Sequence, residues 1–447
     1  MRNKSHLFVI YTLLISLVIF YLISNTYHIS NFNLSIFVCF YILSTIVSRV
    51  ILQNENFFSF YSLYYLTFVI FMCGSFIMYP FMNESLHCRD MYGPICFSTN
   101  EIIKSIFYVL SGSSAIEIGY YCYKNKNVSY ENIDNRKIYI ICVLILCFIY
   151  PVLMYSTINM VINTFNYGYL AAYTNSQAGQ YSTPLNLICL LIINVGLGLS
   201  FVIKDKKRKF FNFYFSLFFI NALVSGLSGG RSGFISAIFL FLWICYGDKK
   251  NNLTLIFKMI IYAISLLFSL NILMYLTGRS ESLNLNVFGF FIKLIDAQGI
   301  TFFVYALSSQ VESYPFVAYI KTIIPGFIHL YSSFIGNIAV YLTGFPQYLS
   351  WSTDSSLFNK GYGLGWSLFS DFYVYSFGFF PLFFGLALFW GRWLAFISQS
   401  SKFHQGLLVC IITTLFIINR GSVSVLIPYV LLYVLLFKYI ARIKLRK

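Results

Sequence analysis

Apolar residues along the chain gather in uninterrupted blocks of about 18 to 24, separated by short polar or charged breaks. That is the length a helix needs to cross a hydrocarbon layer about 30 Å thick. Strands of a membrane barrel would instead alternate apolar and polar positions in segments of about ten residues. The pattern predicts an all-α, polytopic helical membrane protein with about 12 transmembrane helices, near 7–24, 32–50, 57–82, 101–122, 138–160, 184–203, 210–228, 233–246, 253–276, 372–391, 405–419 and 423–440. Residues 1–24 pair a basic start with an apolar run, as a signal peptide does, but no small-x-small site follows, so this segment reads as an uncleaved first helix. Between the ninth and tenth spans, 277–371 reads as a large loop on the outer side, periplasmic if the membrane is a bacterial inner one. Its stretches 285–307 and 322–342 are apolar, and both crossing together would give fourteen spans. Pro325, Gly326, His329 and Gly336 argue instead for interfacial or re-entrant helices. The expected organisation is therefore a membrane domain over 1–276, the loop 277–371, and a closing unit 372–447 with three helices and a basic tail.

Composition sharpens this picture. Of 447 residues, 59% are hydrophobic and only 10% charged, which excludes a soluble enzyme and a disordered chain. A net charge of +16 would suggest nucleic acid in a soluble protein, but here its distribution reports topology. With the N-terminus inside, 22 of the 30 basic residues fall on the inner side against five acids, while eight basic residues balance eight acids outside. This is the positive-inside pattern, and it predicts a multi-pass membrane protein with both termini cytoplasmic. The bilayer, not nucleic acid, is the expected partner of the positive face. Eight of the ten cysteines lie in or at the ends of spans, whereas Cys88 and Cys96 share the outer loop 83–100, where a disulfide is compatible with an oxidising compartment. Neither a CxxC spacing nor a histidine cluster suggests a metal, and no cofactor motif is present.

Candidate chemistry collects at one face. Three arginines lie on the outer side beside glycine and serine at helix boundaries: Arg231 in Ser228-Gly229-Gly230-Arg231-Ser232-Gly233, Arg279 in Thr277-Gly278-Arg279-Ser280, and Arg420 in Asn419-Arg420-Gly421-Ser422. Glycine admits a ligand to the backbone, helix N-termini offer free N–H groups, and guanidinium grips phosphate through two parallel hydrogen bonds. Converging, these elements would form a site for a lipid-linked diphosphate; singly, each arginine could simply snorkel to the headgroups. A second patch, Asn359-Lys360-Gly361-Tyr362-Gly363-Leu364-Gly365-Trp366-Ser367 followed by Asp371, offers aromatic faces and polar groups suited to sugars, or an ordinary interfacial aromatic belt. The uncharged loop 161–183 would suit a glycan in the same way. For acid–base work the outer candidates are His329, Glu281, Asp296, Glu312, Asp354 and Asp371. Glu117, within the fourth span, reads as a proton-relay group or the partner of an arginine.

The many-span layout, Gly229-Gly230-Arg231-Ser232-Gly233 opening a span, the glycine-rich Gly361–Ser367 stretch with Asp371, and the late Arg420-Gly421-Ser422 turn together resemble the bacterial O-antigen polymerase (Wzy) family of oligosaccharide repeat unit polymerases. The resemblance implies a glycosyltransferase-type membrane enzyme working on undecaprenyl-diphosphate-linked oligosaccharide at the periplasmic face, without a metal or other cofactor, and partnered by a chain-length regulator membrane protein. By analogy Arg231, Arg279 and Arg420 would bind the diphosphate with Gly229, Gly230 and Ser232, Tyr362 and Trp366 would meet sugar, and His329, Glu281 or Asp371 would act on the acceptor hydroxyl. Two alternatives share the substrate: a flippase of lipid-linked oligosaccharide, which would favour charges deep inside many spans, and an O-antigen ligase, which differs in acceptor.

Overall fold

The computed structural model describes residues 2–442, apart from 25, 28, 83–85, 124–134, 168–183, 204–207, 276–286 and scattered positions within 248–274 and 325–337. The chain is an all-α polytopic membrane protein. Among the described residues, ten helices are long and apolar enough to cross a membrane, and Arg231–Tyr246 and Lys402–Ile412 are shorter apolar helices. In chain order the elements used below are α1 (Arg2–Ser24), α2 (Asn31–Leu52), α3 (Phe60–Phe81), α4 (Thr99–Tyr123), α5 (Asn135–Asn166), α6 (Pro184–Val202), α7 (Lys209–Leu227), α8 (Arg231–Tyr246), α9 (Val287–Ser308), α10 (Phe316–Ile323), α11 (Phe345–Thr353), α12 (Leu368–Tyr375), α13 (Phe380–Ile397), α14 (Lys402–Ile412), α15 (Leu415–Ile418) and α16 (Ile427–Arg442).

The periodicity located most spans, and the departures have physical causes. The run expected at 372–391 is split. Phe377 and Gly378 both adopt positive φ (52° and 70°), which ends α12 and lets α13 start afresh at Phe380 with Pro381 in its first turn. The run at 405–419 likewise breaks after α14, and α15 is a single turn. The apolar stretch 285–307, expected as an interfacial or re-entrant helix of the outer loop, overlaps α9 (Val287–Ser308), a 22-residue helix whose length and composition suit a crossing. Its polar positions are neutralised by packing: Asp296 takes a 3.0 Å ion pair from Arg89, and Gly299 lies so close to Gly74 of α3 that a Cβ there would strike the Ser75 backbone. Most of the stretch 322–342, expected as an interfacial or re-entrant helix, lies outside the described residues.

Helices in a bilayer gain little from apolar burial alone, so their contacts rely on small residues that let backbones meet. The closest pairing, α4 with α13, follows this rule. A Cβ on Gly391 would strike the Ile116 carbonyl, and one on Gly119 the Leu388 carbonyl. Glu117 sits beside this contact, 1% exposed, with Arg49 of α2 at 3.6 Å and His6 of α1 at 3.4 Å. Of the two sequence readings of Glu117, partnership with an arginine is the geometry found. Arg49 also lies over the rings of Tyr61 and Tyr65, so the buried cation faces a carboxylate and two aromatic faces.

The strand content of the described residues is one hairpin, Cys88–Asp90 paired antiparallel with Pro94–Cys96. Cys88 and Cys96 are opposite one another and disulfide-bonded. Through Arg89 this closed hairpin holds α9 beside α3.

Gly391→Leu should lower stability by about 1–3 kcal/mol, because the side chain meets backbone that cannot yield. Gly385→Leu in the same helix should be neutral, since its Cβ would meet nothing within 4 Å. Thermal unfolding of the two detergent-purified variants checks this; equal midpoints would contradict the close α4–α13 contact.

Candidate functional site

The turn from α7 into α8 is built for an open helix start. Gly229 has φ +91°, a conformation natural to glycine, and Gly230 is the N-cap residue without a side-chain cap. The first-turn N–H groups of α8 therefore keep no capping acceptor from that residue. Nothing lies within 4 Å of the place a Cβ would occupy on Gly233. Arg231 heads this helix, ahead of the apolar run 233–246, and is half-buried. Burial first, and then the charge of nearby Arg420, push its pKa below the ordinary arginine value.

Arg420 arrives from the far end of the chain. The α15 turn reaches α8 through a hydrogen bond from the Phe416 N–H to Ser236 Oγ (3.3 Å). The next residue but two, Asn419, is fully buried and donates to Thr67 Oγ1 (2.8 Å) and to the Tyr64 carbonyl (3.3 Å), fixing the turn to α3. Arg420 remains exposed and donates from Nη1 to Gln298 Oε1 of α9 (3.0 Å). Among the described residues no carboxylate pairs with Arg231 or Arg420. Two guanidiniums thus repel each other at one corner, an arrangement an anion would relieve.

Asp371 holds this corner to the glycine-rich element. Ser367 caps α12 by accepting from the Ser370 N–H (2.9 Å), which sets Asp371 in the first helical turn. The carboxylate is 1% exposed. One oxygen accepts from Trp366 Nε1 (2.7 Å), the other from Ser422 Oγ (2.9 Å) and the Val423 N–H (2.6 Å). Burial raises its pKa to about 6 in spite of these three donors, which act in the opposite direction. Asp371 therefore bridges the stretch ending at Trp366 and the turn that carries Arg420. Before Trp366, Gly361 and Gly365 take positive φ (91° and 88°), which presents Tyr362 to the outside while Trp366 turns inward against Phe345.

The site residues expected from sequence thus separate into groups. Arg231, Gly229, Gly230, Ser232 and Arg420 converge. Tyr362 is exposed, and Trp366 is a buried hydrogen-bond donor to Asp371. Arg279, Glu281 and His329 lie outside the described residues, as does most of the loop 161–183. Of the other outer carboxylates, Asp296 pairs with Arg89, Asp354 caps the short helix 355–359 through the Ser356 and Leu357 N–H groups, and Glu312 is exposed. Gln298 was not among the candidates because it carries no charge within the apolar stretch 285–307; two polar residues, Asp296 and Gln298, inside that run were its signal. Among the described residues no three His, Cys, Asp or Glu side chains group as a metal site.

A bundle of apolar helices, with two arginines at one corner that no carboxylate meets among the described residues, defines a polytopic membrane protein. The family model for O-antigen polysaccharide polymerase Wzy matches residues 6–446, and the chain belongs to that family. It is accordingly a multi-pass bacterial membrane protein and a polymerase of O-antigen polysaccharide, acting on lipid-linked oligosaccharide. Among curated proteins and among solved structures no match to the chain was found.

Lowering the pH through about 6 should protonate Asp371, turning an acceptor of three hydrogen bonds into a group that must also donate. Polymerisation should therefore fall on the acid side with a midpoint near 6. Asp371→Asn should insert normally, lose about 10²-fold in rate through the loosened arginine turn, and lack that acid limb. A pH–rate profile of both proteins decides the matter; an unchanged limb in the variant would remove Asp371 from this role.

Proposed function

We propose that the enzyme transfers a growing glycan from undecaprenyl diphosphate to a hydroxyl of a second lipid-linked repeat unit, at the periplasmic face of the inner membrane. In this step the bond between the sugar anomeric carbon and the diphosphate oxygen breaks. A new bond forms from that carbon to the acceptor oxygen, the hydroxyl proton leaves, and undecaprenyl diphosphate departs. Negative charge grows on the departing diphosphate, so donors aimed there lower the barrier. Arg231 and Arg420 are assigned this work, with the uncapped N–H groups at Ser232 and Gly233 assisting and Arg279 as a third contact. The observation that carries the reading is the pairing of two guanidiniums without a carboxylate among the described residues.

Asp371, buried and already accepting three hydrogen bonds, fits a positioning residue better than a base that must reach substrate. The acceptor proton then falls to His329 or Glu281. Tyr362, exposed beside positive-φ glycines, offers an aromatic face to sugar.

Arg231→Ala and Arg420→Ala should each lower transfer about 10²–10³-fold while leaving insertion intact. Lysine at either position should restore only part, having lost the two-pronged geometry. The assay is chain-length distribution by gel, with turnover of a lipid-linked repeat unit by purified protein. A chain arrested at one repeat supports polymerase, repeat units trapped inside the cell support a flippase, and free lipid-linked polymer supports a ligase. An unchanged ladder in both alanine variants would overturn the diphosphate assignment.

A further inference from the structure

Below the arginine turn, α7 and α8 part to leave a groove of about 450 Å³, closed on its third side by Tyr262, Ser265 and Ser269. This size is typical of a small-ligand site, about 300–1,000 Å³. Its walls include Phe215 and Phe219 of α7 and Ile238, Phe241 and Leu242 of α8. Polar side chains are present but spent: Ser216 donates to the Asn212 carbonyl (2.9 Å), Ser269 to the Ser265 carbonyl (2.8 Å), and the Tyr262 hydroxyl pairs with that of Tyr246 (2.7 Å). An occupant therefore needs no hydrogen-bonding groups. Ile220 and Phe241, 48% and 41% exposed, lie along its open side, where hydrocarbon can enter from the bilayer.

The groove and the arginine corner lie along the same two helices. The helices that wall it are the two joined by the Ser228–Arg231 turn. Ile238 follows Arg231 by seven residues and Leu242 by eleven, so at 3.6 residues per turn all three share one stripe of α8, with the Ile238 Cα roughly 10 Å along the axis from that of Arg231. An anionic head held by Arg231 and Arg420 would deliver its attached chain into this space.

We infer that the α7–α8 groove binds the polyprenyl chain of the lipid diphosphate substrate. The inference rests on the diphosphate reading above and extends it to the hydrocarbon. Binding here fixes the depth of the lipid, so that its diphosphate stands level with Arg231 and the sugar projects outward beyond it.

The test uses the full-length protein in nanodiscs with two diazirine-tagged probes, undecaprenyl diphosphate and undecaprenol, and maps the labelled peptides. Labelling by both should concentrate on 215–220 and 238–242 and be displaced by untagged undecaprenyl diphosphate but not by phosphatidylglycerol. Ile238→Trp and Ser265→Trp, which fill the groove from opposite walls, should each cut labelling about tenfold, a loss of about 1.4 kcal/mol. Labels scattered over other helices, equal displacement by phosphatidylglycerol, or undiminished labelling in both inserted tryptophan variants would overturn the inference. Undecaprenol labelling in the groove alongside fully active Arg231→Ala and Arg420→Ala would uphold the groove and defeat the diphosphate reading. The reverse pattern would defeat the groove alone.

Discussion

A carboxylate buried in apolar surroundings must be met by donors, and Asp371 is met by three that come from separate parts of the chain. Trp366 closes the glycine-rich stretch, while Ser422 and Val423 close the arginine turn. Because neither contact can lapse without leaving a buried polar group unanswered, the two segments keep one relative position. Asn419 adds the anchor to α3, and Gln298 of α9 reaches the guanidinium from the side. The placement of Arg420 next to Arg231 is thus a consequence of hydrogen-bond satisfaction around a single acid.

Charge elsewhere in the bundle obeys a different economy. Arg49 meets Glu117 and two tyrosine rings, and Arg89 meets Asp296 and the Phe303 ring. Those arginines hold helices together, and each faces a carboxylate because an uncompensated charge at such depth is costly. Arg231 and Arg420 have no such carboxylate among the described residues and sit beside an open helix start. The contrast separates cations that tie helices together from cations whose charge no carboxylate among the described residues meets.

Much of the architecture was legible because lipid demands long apolar runs, and the glycine–arginine turns stood out against a charge-poor outer face. Glu117 was recognisable as a buried acid needing a partner, although only the packing of α1, α2 and α4 identifies Arg49 and His6. Three things escaped. α9 was expected as an interfacial or re-entrant helix of the outer segment, and the partners that meet its Asp296 and Gln298, Arg89 and Arg420, lie 207 and 122 positions away along the chain. The breaks at Phe377 and after α14 arise from local backbone geometry that an apolar stretch conceals. Asp371 read as a catalytic candidate because nothing in its neighbours announces that Ser422 and Val423 will occupy it.

The distance along the chain between Asp371 and its partners also bears on biosynthesis. Arg231 and its glycine turn are synthesised 191 residues before Ser422. The turn that carries Arg420 and clasps Asp371 is thus made after the α3, α8 and α9 segments it bonds to, so this corner closes late in synthesis.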